Sequence, residues 1–160
     1  MAARPINLKI KIFGDEVMRR KLLRGAAVAA NPKPALELIA DDMMRVIDAT
    51  FTGQGRRYGG SWAALDPKYV EKKSRAGLDP RILIASGDLR RSMTVRGDEN
   101  QYLKVDHTGI ELESELEYAA RQQFGGDGIP ARPFIAFYPQ DRARWVRIIE
   151  DELRSAMTGD

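Results

Sequence analysis

Cysteine is absent from this chain of 160 residues, and histidine occurs once, as His107. Without thiols there is no disulfide framework, no thiolate nucleophile and no cysteine-ligated zinc. A lone imidazole excludes a multi-histidine metal centre and leaves His107 as the only base for a Ser-His-Asp arrangement. No apolar run approaches the roughly 18 residues of a membrane-spanning helix, and the first residues lack an apolar signal-peptide core. The expectation is a soluble protein made in a reducing compartment, with no metal or other cofactor and no membrane partner. What is present is a 43% hydrophobic and 31% charged composition. That is apolar enough for a core, and the length suits one domain over residues 1–160.

The formal net charge of +3 is unevenly spread. Residues 1–30 carry seven Lys/Arg against two Asp/Glu, and residues 54–96 carry ten against four. Residues 97–120 carry seven acidic groups against Lys104 alone. A sequence pI near 9.3 invites a nucleic-acid reading. Alternating basic and acidic blocks equally suit a protein that meets copies of itself, positive surface to negative surface.

Residues 6–13 alternate strictly, with Ile6, Leu8, Ile10 and Ile12 against Asn7, Lys9 and Lys11, which predicts a half-buried strand ended by Gly14. From 15 to about 30 the period turns helical, with Met18, Leu22, Ala26 and Ala29 on one stripe. Asn31 and Pro32 predict the cap and first residue of a second helix. Its stripe is Leu36, Ile39, Ala40, Met43, Ile47 and Thr50/Phe51, with Glu37, Asp41, Arg45 and Asp48 facing water. Residues 51–61, with Gly53, Gly55, Gly59 and Gly60 around Arg56, Arg57 and Tyr58, read as a flexible loop. Asp66 and Pro67 open a short basic helix ending at Arg75. Residues 89–92 read as one helical turn.

From Met93 the rhythm returns to two. Residues 93–96, 102–106 and 110–113 read as strands, with turns at 97–100 and 107–109. Residues 118–124 read as helix, and 129–138 have strand composition around Pro130 and Pro133. The last helix runs from 139 or 140 to 157 and turns Trp145, Ile148, Ile149, Leu153 and Ala156 inward. The fold class is α+β: an N-terminal strand and helices, then an antiparallel β-meander packed against a long C-terminal helix. A short arm, residues 1–5, precedes it.

Chemistry-bearing patterns are few. His107 lies between Asp106 and Thr108 in a predicted turn, and spacing assigns it no partner, so it reads as a surface turn residue. Glu111, Glu113, Glu115 and Glu117 alternate; a solvated sheet face, or one meeting a basic neighbour, explains them better than a metal site. Gly125-Gly126-Asp127-Gly128 lacks the Lys-Ser/Thr of a phosphate loop and reads as a tight turn. Lys68, Lys72 and Arg75 share a helix face, and with Arg56, Arg57, Tyr58 and Lys73 form the best candidate for contacts to a nucleic-acid backbone. No catalytic residue emerges.

Four blocks in order carry a resemblance. Gly60-Ser61-Trp62 with Leu65, Pro67 and Lys72/Lys73 is the first, and Ile82-Leu83 with Ser86-Gly87-Asp88-Leu89 and Ser92 the second. Tyr118-Ala119-Ala120 with Gln123-Phe124-Gly125 is the third, and Ile129-Pro130-Ala131-Arg132-Pro133-Phe134, followed by Asp141 in the terminal helix, the fourth. Together they resemble the phage virion morphogenesis family, the tail-completion or neck proteins of tailed bacteriophages. Gln122 stands where many members have histidine.

The resemblance implies a non-enzymatic virion protein, present in the host cytoplasm during assembly and then at the head–tail junction. It implies a ring, six-fold in the expected form, that joins the head connector or stopper to tail terminator or tail-tube proteins, with DNA passing through transiently. A ring requires two different complementary surfaces on each subunit. The interface candidates are Trp62, Tyr118, Phe124, Arg132 and Phe134, and the acidic Glu111 and Glu113 set against Lys68, Lys72 and Arg75 or the basic 90–96 region. Arg56, Arg57 and Lys73 are the candidates for DNA-backbone contact. Trp62 reads either as an anchor for a partner's pocket or as a lid on its own core. Arg132, between two prolines, is placed to meet a carboxylate of a neighbouring subunit. The alternative function is a non-specific nucleic-acid-binding module built on residues 56–75.

Overall fold

Proline lacks the backbone donor that the first turn of a helix leaves without a partner, and α1 (Lys33–Thr52) starts at such a pair, Pro32 and Pro34. The computed structural model describes residues 8–12, 31–57 and 60–158. The expected cap, Asn31, is displaced by Pro32, whose carbonyl accepts from the Leu36 N–H at 3.0 Å. The helix closes at Gly53, whose N–H reaches the Ala49 carbonyl at 2.9 Å. Ala35, Ile39, Ala40, Met43, Met44, Val46, Ile47 and Phe51 are all buried. This arc is wider than the expected stripe because α1 is covered from several sides: by α3 (Asp88–Thr94), by α5 (Pro139–Thr158) and by two strands.

The strands are β1 (Leu8–Ile12), β2 (Gln101–Asp106) and β3 (Gly109–Ser114), antiparallel in the order β1-β3-β2. Register pairs Leu103 with Leu112 and Val105 with Ile110, and sets Ile10 opposite Leu112 and Ile12 opposite Ile110. Directly opposite residues share a face; on β3 that face carries Ile110 and Leu112, both buried, and β2 and β3 contact α1. On the other face Glu111 stands between Lys11 and Lys104, and Glu113 between Lys9 and Tyr102. The predicted helix over 15–30, the ends of the predicted first strand and the arm over 1–5 lie outside the described residues, as do Tyr58 and Gly59.

Two expected strands take other forms. Residues 93–96 were to begin the meander, but Met93 and Thr94 finish α3, and Leu89 and Met93, one turn apart, are both buried. Residues 129–138 form no strand; one isolated bridge joins Gly126 to Ile129. The segment's backbone is held by a side chain instead. Gln123 Oε1 accepts from the N–H groups of Phe134 and Ile135, both at 3.0 Å, and its Nε2 donates to the Ile135 carbonyl at 3.1 Å. The short helices α2 (Pro67–Arg75) and α4 (Ala119–Phe124) complete the described elements.

Two apolar clusters meet along α1. One gathers Phe51, Trp62, Met93, Leu112 and Phe134, and the other Ile39, Met43, Ile110, Trp145 and Ile149. Each fully buried side chain of this size contributes about 1.5–3 kcal/mol. A buried ionic cluster pins the second group. Asp42, on the apolar side of α1, accepts from Trp145 Nε1 at 2.8 Å and Arg144 Nε at 2.9 Å. Arg144 also bonds Asp141 at 3.1 Å, and Asp141 receives Arg57 at 2.7 Å and the Tyr138 N–H at 2.9 Å. Burial raises the Asp141 pKa, but the Tyr138 N–H, Arg57 and Arg144 together hold it below the usual carboxylate value.

Candidate functional site

Asp66 caps α2, accepting from the N–H groups of Lys68 at 2.8 Å and Tyr69 at 3.3 Å, and Pro67 occupies the first turn. Of the nine residues of α2 only Lys73 is buried. Its ammonium turns inward and donates to the carbonyls of Arg81 at 2.8 Å and Ile84 at 3.4 Å, fastening α2 to the 81–84 turn. Burial lowers the Lys73 pKa, and the charge of Asp79 partly offsets this. Asp79 itself is held at about 2, chiefly by its hydrogen bonds with Arg81. Between the pinned residues Ile82, whose N–H donates to Gln54 Oε1 at 2.6 Å, and Ile84 sits Leu83, at φ +60°. A left-handed leucine costs about 1–2 kcal/mol and persists where its neighbours over-determine it.

Between α2, the 83–89 segment, the start of α4 and residues 129–132 lies a groove of about 810 Å³. Leu65, Leu83, Ile84, Leu89 and Ile129 supply apolar wall, and the exposed rings of Tyr69 and Tyr118 line it too. Lys73 and Arg132, both buried, are the cations of its wall. Arg132 Nε donates to the Ala63 carbonyl at 3.0 Å and its Nη2 to the Ala64 carbonyl at 3.3 Å. Burial lowers its pKa, against a raising effect of Tyr69. Gln122 also lines the groove, and its Oε1 is buried with no hydrogen-bond partner. Asp66 and Asp88 line it as well, so the wall's two cations are matched by two carboxylates, and its apolar side chains and unpaired acceptor suit it to binding; no three Asp, Glu or His among the described residues gather into a metal-holding group.

Several sequence candidates turn inward. Trp62 is 7% exposed, its Nε1 donates to the Pro133 carbonyl at 2.9 Å, and its ring stands edge-on to Phe51 at 5.7 Å. It is a lid on its own core, not a projecting anchor. Phe134 is fully buried against Phe51. Arg132, expected to reach a neighbour's carboxylate, ties residues 63–64 of its own chain. Arg57 and Lys73, expected at phosphates, bond Asp141 and two carbonyls instead. Arg57 also lies over the Tyr138 ring. In the 90–96 region Arg90 pairs with Asp48, Arg91 with Asp88 and Asp98, and Arg96 with Glu37 and Asp41.

Other candidates lie at the surface. Lys68, Lys72, Arg75 and Arg56 are exposed, although Arg75 pairs with Glu71 at 2.5 Å. Tyr118 and Phe124 are exposed, Phe124 by 67%. Glu111 and Glu113 are half-buried on the outer face of β3. His107 is exposed in the two-residue turn between β2 and β3, where Asp106 bonds Thr108 and Lys104. Asp42, Gln122 and Gln123 were missed. The signal for Asp42 was a carboxylate beside Met43 on an apolar stripe; the glutamines were marked by their place at the third block, which assigned them no contact.

The model of the phage virion morphogenesis family matches residues 15–154. The chain belongs to this family. A curated relative is the "Mu-like prophage FluMu G protein 2" of Haemophilus influenzae, 27% identical over 151 residues that cover 90% of this chain and 94% of that protein. No solved structure matches. Membership gives the chain a structural part in building the phage virion. The four blocks that carried the resemblance, scattered over residues 60–134, all contribute to the groove: Leu65 and Lys73, Leu83 with Ser86 to Leu89, Tyr118, and Ile129, Pro130 and Arg132. No described helix is long and apolar enough to cross a membrane.

Proposed function

We propose that the protein is a structural component of the head–tail junction. In this reading it forms a ring, six-fold in its expected form, that completes the tail and joins it to the head connector. The observation that carries the reading is family membership over nearly the whole chain. Its partners are copies of itself, head connector or stopper proteins, and tail terminator or tail-tube proteins, with DNA backbone passing transiently through the lumen.

Two surfaces of different character support a head-to-tail ring, which needs unlike faces on each subunit. One is the groove with its aromatic margin. The other is the sheet face bearing Glu111 and Glu113. Register sets Glu111 opposite Lys104 of the same chain, so that face is of mixed charge and not a purely acidic one. Exposed Lys68, Lys72 and Arg75 remain the basic interface candidates, with Arg56 for DNA contact. A phage carrying a deletion of this gene tests the role: lysates should contain filled heads and separate tails that do not join. Joined, infectious particles from the deletion phage would overturn it.

A further inference from the structure

We infer that the outer edge of β2 pairs with the same edge of a second copy, antiparallel about a two-fold axis, so that the two sheets run on as one. β2 stands at one side of the order β1-β3-β2. The Glu115 N–H donates to the Asn100 carbonyl at 2.9 Å, one step beyond the β2–β3 register. Bonded and non-bonded pairs alternate along an antiparallel ladder, so Tyr102, Lys104 and Asp106 turn their backbone groups toward β3. Leu103 and Val105 turn theirs outward, and no described residue bonds them. Their side chains are half-buried, whereas Leu112 and Ile110, opposite them on the central strand, are buried. Solvent therefore reaches this edge from the side that β3 does not cover.

An open edge is a template for another strand, and proteins blunt it with proline, a bulge or an unanswered charge, lysine above all. β2 holds no proline, and its six residues pair with β3 without a bulge. Its one lysine, Lys104, is answered by Asp106 at 2.9 Å.

Charge complementarity selects a second copy as the occupant and fixes its register. Lys104 and Asp106 lie two residues apart on the outer face of the sheet. With Val105 opposite Val105 of the second copy, each Lys104 faces Asp106 of the other chain. The two contacts are equivalent by symmetry and fall at non-bonded pairs, where facing side chains come closest. A shift of one pair sets Lys104 against Lys104, a repulsive contact. A further shift sets Lys104 against Tyr102 and forgoes both ion pairs. On the inner face Val105 meets its own counterpart, which continues the apolar side of the sheet. A pattern complementary to itself is what a two-fold contact requires. This contact goes beyond the head-to-tail ring, because it joins like edges and leaves the ring's unlike faces apart.

The test uses the full chain. Sedimentation velocity should show a monomer–dimer equilibrium, and the Val105 amide should exchange more slowly as protein concentration rises, since only the dimer bonds it. Lys104→Asp places an aspartate opposite Asp106 and should weaken dimerisation at least about tenfold, with a thermal unfolding midpoint near wild type. Asp106→Lys places a lysine opposite Lys104 and should do the same. Mixed in equal amounts, the two variants bring opposite charges together at both contacts, and a heterodimer of near wild-type affinity should form. Asp106 also bonds Thr108 in the turn; should Asp106→Lys fail to fold, sedimentation and Val105 exchange in Lys104→Asp decide alone.

A monomer at every concentration would overturn the inference. So would a dimer that Lys104→Asp leaves intact, folded variants that do not associate on mixing, or a dimer whose Val105 amide exchanges as fast as the monomer's. None of these outcomes bears on whether the deletion phage joins heads to tails, so the two proposals fail separately.

Discussion

Gly55 shows what a missing methyl group secures. Its φ is +78°, and a Cβ there would lie 2.5 Å from Trp62 Cδ1, inside the distance any real contact allows. The glycine-rich stretch therefore has a packing role: its glycine lets Trp62 lie across the end of α1. Gly55→Ala should destabilise the fold by about 1–3 kcal/mol through overpacking, read as a lower urea midpoint. Asp141 is the second telling residue. Its carboxylate is fully buried with Arg57 and Arg144 as partners, so Asp141→Asn should cost about 3 kcal/mol, the low end for a broken buried pair because Arg144 is partly exposed.

The same carboxylate sets a pH dependence. The folded Asp141 pKa lies below the unfolded one, so between the two values the unfolded chain binds more protons. The stabilisation is complete above the ordinary value near 3.8 and is lost as pH falls through the folded pKa. Acid titration followed by tryptophan fluorescence should show wild type losing stability below about pH 4. Asp141→Asn should lose less over that interval, having lost the titrating group.

At the scale of elements, α1, α2, α5 and the β2–β3 hairpin were legible in the sequence because each states its own period or cap: Ile39, Met43 and Ile47 on one face, Asp66-Pro67 at a start, His107-Thr108 at a turn. The 93–96 segment misled because Thr94 and Val95 are β-branched, while the burial of Leu89 and Met93 one turn apart decides for helix. Residues 129–138 have strand composition, but the N–H groups of Phe134 and Ile135 go to the Gln123 side chain, that of Arg132 to the Gln122 carbonyl and that of Tyr138 to the Asp141 carboxylate, partners outside any strand ladder. The groove was legible as four separate motifs, not as one place; only the fold brings Leu65, Leu83, Tyr118 and Arg132 together. Lys73 fastens α2 to the turn it faces. Lys73→Ala leaves the carbonyls of Arg81 and Ile84 without that donor, at about 1–3 kcal/mol. Amide exchange should quicken across residues 67–84 and stay slow in α1 and β3.

For the whole molecule the charge blocks take a different meaning from the one their sum suggested. Arg90 and Arg96 answer Asp48, Glu37 and Asp41 on α1, and register sets Glu111 opposite Lys104 of β2. Much of the alternation in sign thus serves the subunit itself. What remains for partners is the groove, the open edge of β2, the exposed face of α2 and the ends presented by Tyr118 and Phe124. The measurement that bears most directly on the assembly role is cryo-electron microscopy of the intact particle at a resolution that traces helices. The predicted result is density for α1, α5 and the three-stranded sheet, repeated around the tail axis between the head connector and the tail tube. Its absence from the mature particle, or its location anywhere else along the tail, would contradict that role.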